Sequence, residues 1–254
     1  MVRTLHGTVI VASAVVALLL TTFVSAQADD RALHLLEGMQ RADPWAGETI
    51  ETIEMVMVMV SHGAPAFESR TRTVVDYVGR RALIVSDLGD GTVTVVRVVD
   101  GQVSMSVAGE EIALPPGMAA LYDAVFDAPA TDLDPAASDA RYDGMRAYGD
   151  LVEGEQVTVR GAALLPAGFD ASITAFGPET EAALLFDAEG RLIATVVETV
   201  EGKLLGLVDD PDETATLGWS SWTGYWLRPD GPELAMTVRY ETVRVNEPIA
   251  DGTF

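Results

Sequence analysis

The chain contains no cysteine. That excludes disulfides, thiolate metal sites and lipid attachment through a thiol, and leaves 254 residues to be held together by core burial alone. Lysine occurs once, at Lys203, and 16 basic residues face 39 acidic ones for a net charge of −23. So negative a chain repels phosphate backbones and anionic lipid surfaces, which excludes nucleic acid as a partner. Histidine is scarce as well. His6, His34 and His62 stand in no H-E-x-x-H or paired spacing, so neither metal nor cofactor is expected. Glycine-rich phosphate loops are missing, and "GDGT" at 89–92 reads as a hairpin turn. The stretch "GWSSWTG" is not G-x-S-x-G and does not stand between a strand and a helix. No catalytic constellation emerges, and the chain is expected not to be an enzyme. The remaining enzymatic reading is a hydrolase built on His62 and neighbouring acids.

Long apolar runs are almost absent too. The exception is "TVIVASAVVALLLTTFV", Thr8 to Val24, which follows Arg3 and precedes "SAQA". A basic start, an apolar stretch and small residues form an export signal, with cleavage expected after Ala28 by the A-x-A pattern. Val24-Ser25-Ala26 offers a second cut, after Ala26. An uncleaved anchor is the other reading, because the run approaches the ~20 residues that span a bilayer. Residues 1–28 are therefore read as a signal and 29–254 as one mature domain in the periplasm or cell envelope.

What is present is mostly extended. "DRALHLLEGMQ", Asp30 to Gln40, has helical apolar spacing, and "RADPWAGET" ends it. Strands are expected near 49–61, 66–78, 81–87, 92–99, 102–107 and 110–113, joined by Asp-Gly and Ala-Gly turns. "LPPGMAALYDAVFDAP" then reads as a helix with Met118, Leu121, Tyr122, Val125 and Phe126 on one stripe. A second short helix is expected near 138–147. Strands resume near 156–164, 171–176, 182–186, 191–200, 203–209, 222–228 and 233–247. The fold class is mainly β, of the α+β type. It is one curled antiparallel sheet forming an unclosed barrel, with an N-terminal helix and one or two inserted helices. A sheet this long curls. Its concave face must be filled by side chains, covered by helices, or occupied by a ligand.

Two features bear on that choice. "EMVMVMVS" puts Met55, Met57 and Met59 on one side of a strand and Val56, Val58 and Val60 on the other. Methionine fills irregular space and is over-used on surfaces that accept varied apolar partners. The row is therefore either void-filling core or a soft wall, to which Met236 and Met118 add. "WSSWTGYW" sets Trp222 and Trp226 on one face with Gly224 between them, either as plain core or as an aromatic wall with a gap.

The order of elements resembles a known family. It runs from the first helix through "ESRTRTVVDYVGRRALIVSD" and "VVRVVDGQVSMSVAGEEIALPPG" to "VRYETVRVNEPIADGTF". This order is similar to the LolA-like outer-membrane lipoprotein-sorting proteins, the periplasmic lipoprotein carriers. The matching elements are Arg80-Arg81, Asp100-Gly101, Gly109 to Pro115, and Val243 to Pro248. The resemblance implies a half-barrel whose hydrophobic cavity takes the acyl chains of a lipoprotein or lipid without catalysis. It also implies envelope membrane proteins as donor or acceptor. Cavity residues are then Met55, Met57, Met59, Trp222, Trp226 and Met236, under a lid bearing Met118, Leu121 and Phe126. Arg80 or Arg81, with Arg81 favoured, matches a strand arginine that holds such a lid. The competing reading is a structural or interaction module of the envelope whose core is self-filled.

Overall fold

The computed structural model describes residues 30–42, 49–63, 65–114, 126, 140–160, 181–199, 201–209 and 220–254. Residues 1–28, read above as a signal, the strand expected at 171–176, and Met118, Leu121 and Trp219 lie outside these residues.

Helix α1, Asp30–Ala42, comes first, with Asp30 in its first turn and Arg41 in its last, as the helix dipole favours. Ala32, Leu35, Leu36 and Met39 make the single apolar stripe that the spacing predicts, and the first three are buried. A meander of strands follows: β1 (Thr52–Ser61), β2 (Phe67–Asp76), β3 (Arg81–Asp87), β4 (Val93–Val99), β5 (Gln102–Val107) and β6 (Glu110–Ile112). The second meander is β7 (Arg141–Tyr148), β8 (Val152–Arg160), β9 (Glu181–Phe186), β10 (Leu192–Thr199), β11 (Gly202–Val208), β12 (Ser221–Arg228) and β13 (Gly231–Val245).

All thirteen form one sheet, ordered β6-β5-β4-β3-β2-β1-β13-β12-β11-β10-β9-β8-β7. The first meander runs outward from the centre and the second runs back to it. There β1 and β13, the first strand and the last, pair antiparallel. The edges β6 and β7 stay unjoined, so the sheet does not close into a barrel. At about 4.8 Å per strand the sheet is roughly 58 Å wide, broad enough that strand twist curls it. Local turn chemistry sets the hairpins: Asp100-Gly101 and Ala108-Gly109 both carry positive φ at both positions, the geometry of a type I′ turn. The long-range joint is pinned by Asn246, which adopts a left-handed φ of 56°. Its Oδ1 accepts the Glu51 N–H at 2.7 Å and its Nδ2 donates to the Thr49 carbonyl at 3.0 Å.

One expected element is corrected. The segment 138–147, read as a short helix, contributes strand β7, which pairs with β8 from Arg141↔Thr158 to Tyr148↔Val152. Its alanines and charges suit a helix. Gly144 at φ 78°, a register shift between Tyr142 and Gly144, and the partner strand decide otherwise. Asp143 shows why the strand is favoured. It accepts from Arg141 Nε at 2.7 Å, Gln156 Nε2 at 2.9 Å and Thr158 Oγ1 at 2.5 Å. Burial alone raises the pKa of this carboxyl, but these donors outweigh it and hold the group below its ordinary value.

Candidate ligand-binding face

Hairpin β1–β2 sorts its residues by face. On one side Met55, Met57 and Met59 lie opposite Thr73, Thr71 and Ser69 of β2, and opposite Val243, Tyr240 and Val238 of β13. On the other side Val56, Val58 and Val60 lie opposite Arg72, Arg70 and Glu68 of β2. The register with β13 slips between Val56 and Met57, where Glu241 is the extra residue.

The valine side is an outer face made of charge over apolar ground. Arg70 pairs with Glu241 at 2.9 Å, Arg72 with Glu54 at 2.8 Å, Arg239 with Glu241 at 3.0 Å and Arg244 with Glu54 at 3.7 Å. Exposed pairs of this kind each contribute little. Their arginine stems, however, lie along the valines, and Val58, flanked by Arg70 and Arg239, is only 9% exposed. The polar residues absent from the valine row are thus supplied by the neighbouring strands.

The methionine side is continuous with one face of the whole sheet. Following the register outward, that face carries Val75, Ala82, Val98, Val96 and Met105 towards β5. In the other direction it carries Trp222, Leu204, Val197, Leu184 and Val157 towards β8. Helix α1 packs on the β8 end, against Val157, Val159, Ala182, Leu184 and Phe186. Phe126, in helical conformation, packs on the β5 end with Ile53, Val96, Val98 and Met105. Between the two covers lies a central cluster of Met57, Met59 and Val238 with Phe67, Trp222, Met236 and Tyr240 against it. Met57 is 5% and Met59 4% exposed. Met55 is half-buried and belongs to the Phe126 end. Burial raises the pKa of the Tyr240 hydroxyl well above its ordinary value, so the group stays protonated beside Met57.

The aromatic wall is built differently from a gap left by glycine. Gly206 and Gly224 face each other across β11 and β12. A Cβ on Gly224 would stand 3.1 Å from Trp222 Cζ3 and 3.0 Å from Met236 Cγ, and one on Gly206 would stand 3.5 Å from Trp222 Cε3. The indole lies over the two glycines, which are small because it is there. Trp226 pairs across to Leu204 and carries the Arg228 guanidinium 5.1 Å above its ring.

The two arginines go different ways. Arg80, in a left-handed conformation at φ 49°, places its guanidinium 5.6 Å from the Phe126 ring centre. Arg81 instead bonds Asp76 and stands 4.6 Å over the Phe254 ring. A further tie holds α1 to the sheet. Arg31 Nε donates to Glu155 Oε2 at 2.7 Å, and Tyr142 donates to the same oxygen at 2.9 Å. The Arg31 bond, helped by Tyr142 and opposed by partial burial, holds the Glu155 carboxyl below its usual pKa. His34 and His62 are exposed, and His62 Nε2 lies 3.4 Å from Thr237 Oγ1. Among the described residues no cluster of three potential metal ligands occurs, and no described helix is long and apolar enough to cross a membrane.

Sequence reasoning missed the hydroxyl residues of this face. Ser69, Thr71, Ser86 and Thr94 are all buried on it, and Thr71 Oγ1 lies 3.0 Å from Ser86 Oγ. The signal was present in "SRTRT", whose alternation faces that of "MVMVM" across the first hairpin.

The topology defines a class: an open antiparallel sheet with one face partly roofed by helical segments. In chain course the protein is similar to several solved structures. A DUF1329 family protein from Desulfovibrio piger matches with a TM-score of 0.49 and 11% identity, over 89% of this chain and 96% of that one. A LolA superfamily protein from Nitrosomonas europaea matches with a TM-score of 0.49 and 10% identity, over 86% and 94%. An outer membrane lipoprotein-sorting protein domain from Vibrio parahaemolyticus matches with a TM-score of 0.45 and 10% identity, over 87% and 95%. At such identity each likeness concerns chain course alone. No family model matches the sequence, and no curated protein matches it.

Proposed function

We propose that this protein is a non-enzymatic carrier of the cell envelope that takes the acyl chains of a lipid or lipoprotein onto the methionine face of its sheet. The observation that carries the reading is the methionine row. It lies at the centre of the face, between the α1 cover and the Phe126 cover, while the opposite face of the same strand is closed by ion pairs. Moving a sixteen-carbon chain out of a membrane requires about 12 kcal/mol of replacement burial, at about 0.8 kcal/mol per methylene. Methionine side chains are unbranched and polarisable, so they can repack around such a guest. The export signal read at residues 1–28 and the resemblance of the element order to lipoprotein carriers support an envelope setting. In this reading Arg80 on Phe126 and Arg31 on Glu155 hold the two covers down. Envelope membrane proteins would then load and unload the carrier.

A second reading is favoured by one observation, the near-complete burial of Met57 and Met59. Side chains so enclosed suit a self-filled core, and the protein would then be a structural or interaction module. Titrating delipidated protein with a fluorescent fatty-acyl probe separates the two. Saturable uptake is expected for the carrier, and absence of uptake sinks that reading in favour of the module. Mass spectrometry of what co-purifies from native cells names the client.

A further inference from the structure

Ser86 lies directly between Thr71 and Thr94 across β2, β3 and β4, on the methionine face. Cross-strand partners of this kind have Cβ atoms about 5 Å apart, so the three hydroxyls make one polar rung, with Ser69 beside it, opposite Met59. The rung is set in apolar surroundings: Met57, Ile84, Val96, Val107 and the un-ionised Tyr240 adjoin it.

Hydroxyls placed so deep ordinarily consume one another's hydrogen bonds. Thr71 and Ser86 share one, at 3.0 Å, which uses one of their two protons. Among the described residues the hydroxyls of Ser69 and Thr94 make no hydrogen bond, although these residues are only 2% and 7% exposed. No fully enclosed polar side-chain atom of the described residues lacks a partner. The two oxygens are therefore not completely enclosed by protein, and each keeps unused hydrogen-bonding capacity.

We propose that the Thr71–Ser86–Thr94 rung, with Ser69, is a polar subsite that receives the neutral carbonyl oxygens of an ester- or amide-linked acyl group. This deepens the carrier reading and rests on it. The choice of a neutral group follows from charge. A free carboxylate or a phosphate needs a cation to offset its desolvation, and the charged residue that ends this row beyond Val107, Glu110, is itself an anion. Hydroxyl donors suit a carbonyl, and the apolar flanks suit the chains leading away from it.

The test compares a methyl palmitate probe with palmitate and with hexadecane, each binding to delipidated full chain or to the Thr71→Val/Ser86→Ala/Thr94→Val variant. Near-isosteric removal of all three hydroxyls keeps the packing, and thermal melting verifies folding. If the triple variant melts early, the single Thr94→Val variant, which breaks no internal bond, carries the comparison. Wild type should prefer the ester over hydrocarbon by about tenfold and over palmitate as well. The variant should lose that preference while its hexadecane affinity stays the same. An unchanged ester preference in the variant, or tighter binding of palmitate than of ester by wild type, overturns the subsite and leaves the carrier reading standing. Wild type binding none of the three overturns both.

Discussion

Met57→Ala and Val58→Ala, made as a pair, interrogate the two faces of β1 at adjacent residues. Both side chains are buried, at 5% and 9% exposure. Met57 faces the central cluster with Tyr240, whereas Val58 lies among arginine stems. Truncating Met57 removes three heavy atoms, worth about 2.4 kcal/mol at about 0.8 per methylene-sized group, before any cavity penalty. Truncating Val58 removes two methyl groups, or about 1.6 kcal/mol on the same scale. In ligand-free protein both variants should lose stability, and for a chain of this size each kcal/mol lowers Tm by about 2–4 °C. The faces part on adding an acyl ligand. A saturating ligand at 100 times its Kd stabilises by about 2.7 kcal/mol, and in Met57→Ala it also fills the space the truncation opens. The Tm deficit of Met57→Ala should therefore shrink with ligand, while that of Val58→Ala stays constant. Thermal melting with and without a fatty-acyl probe reads both deficits. Equal deficits for Met57→Ala in the two conditions would refute the assignment of the methionine face to the ligand.

Three further outcomes are expected. Gly224→Ala puts a Cβ 3.1 Å from the Trp222 indole and 3.0 Å from Met236 Cγ. It should cost about 1–3 kcal/mol by overpacking and change the near-ultraviolet circular dichroism; an unchanged melt and spectrum would mean that the indole does not rest on that glycine. Arg80→Gly and Arg80→Ala both remove the guanidinium from Phe126, but only glycine relieves the left-handed φ. The glycine variant should be more stable by about 1 kcal/mol in denaturant titration, and equal stabilities would dismiss the strain. Because the Glu155 carboxyl sits below its ordinary pKa in the folded chain, the Arg31–Glu155 tie contributes fully above the ordinary carboxylate range. The tie is lost as pH falls through that range and below it. Its contribution is about 1 kcal/mol or less, since the Arg31 side chain is 41% exposed. Protection of α1 amides, taken relative to the intrinsic exchange rate at each pH, should fall on acidification in wild type and be already low in Glu155→Gln; a wild-type protection independent of pH would rule the tie out.

Elements whose causes are local were legible in the amino-acid order. The apolar stripe of α1, the Asp100-Gly101 turn and the two-residue alternation of β1 are each written within a few residues, because helix and strand periods and turn backbone preferences act at that range. The same range fixed which side chains of β1 share a face, hence the methionine row. Matters that depend on a partner far along the chain were settled by the folded sheet. β7 looked helical until β8 paired with it. Trp222 read as either plain core or the rim of a gap until β11 set Gly206 opposite Gly224 beneath the indole. The serines and threonines of β2, β3 and β4 became one rung only through the registers of three strands. Pairing free energy between distant segments is not encoded in any window of residues. Which residues meet at the centre of this sheet, where the first strand joins the last, could be settled only once the whole chain had folded.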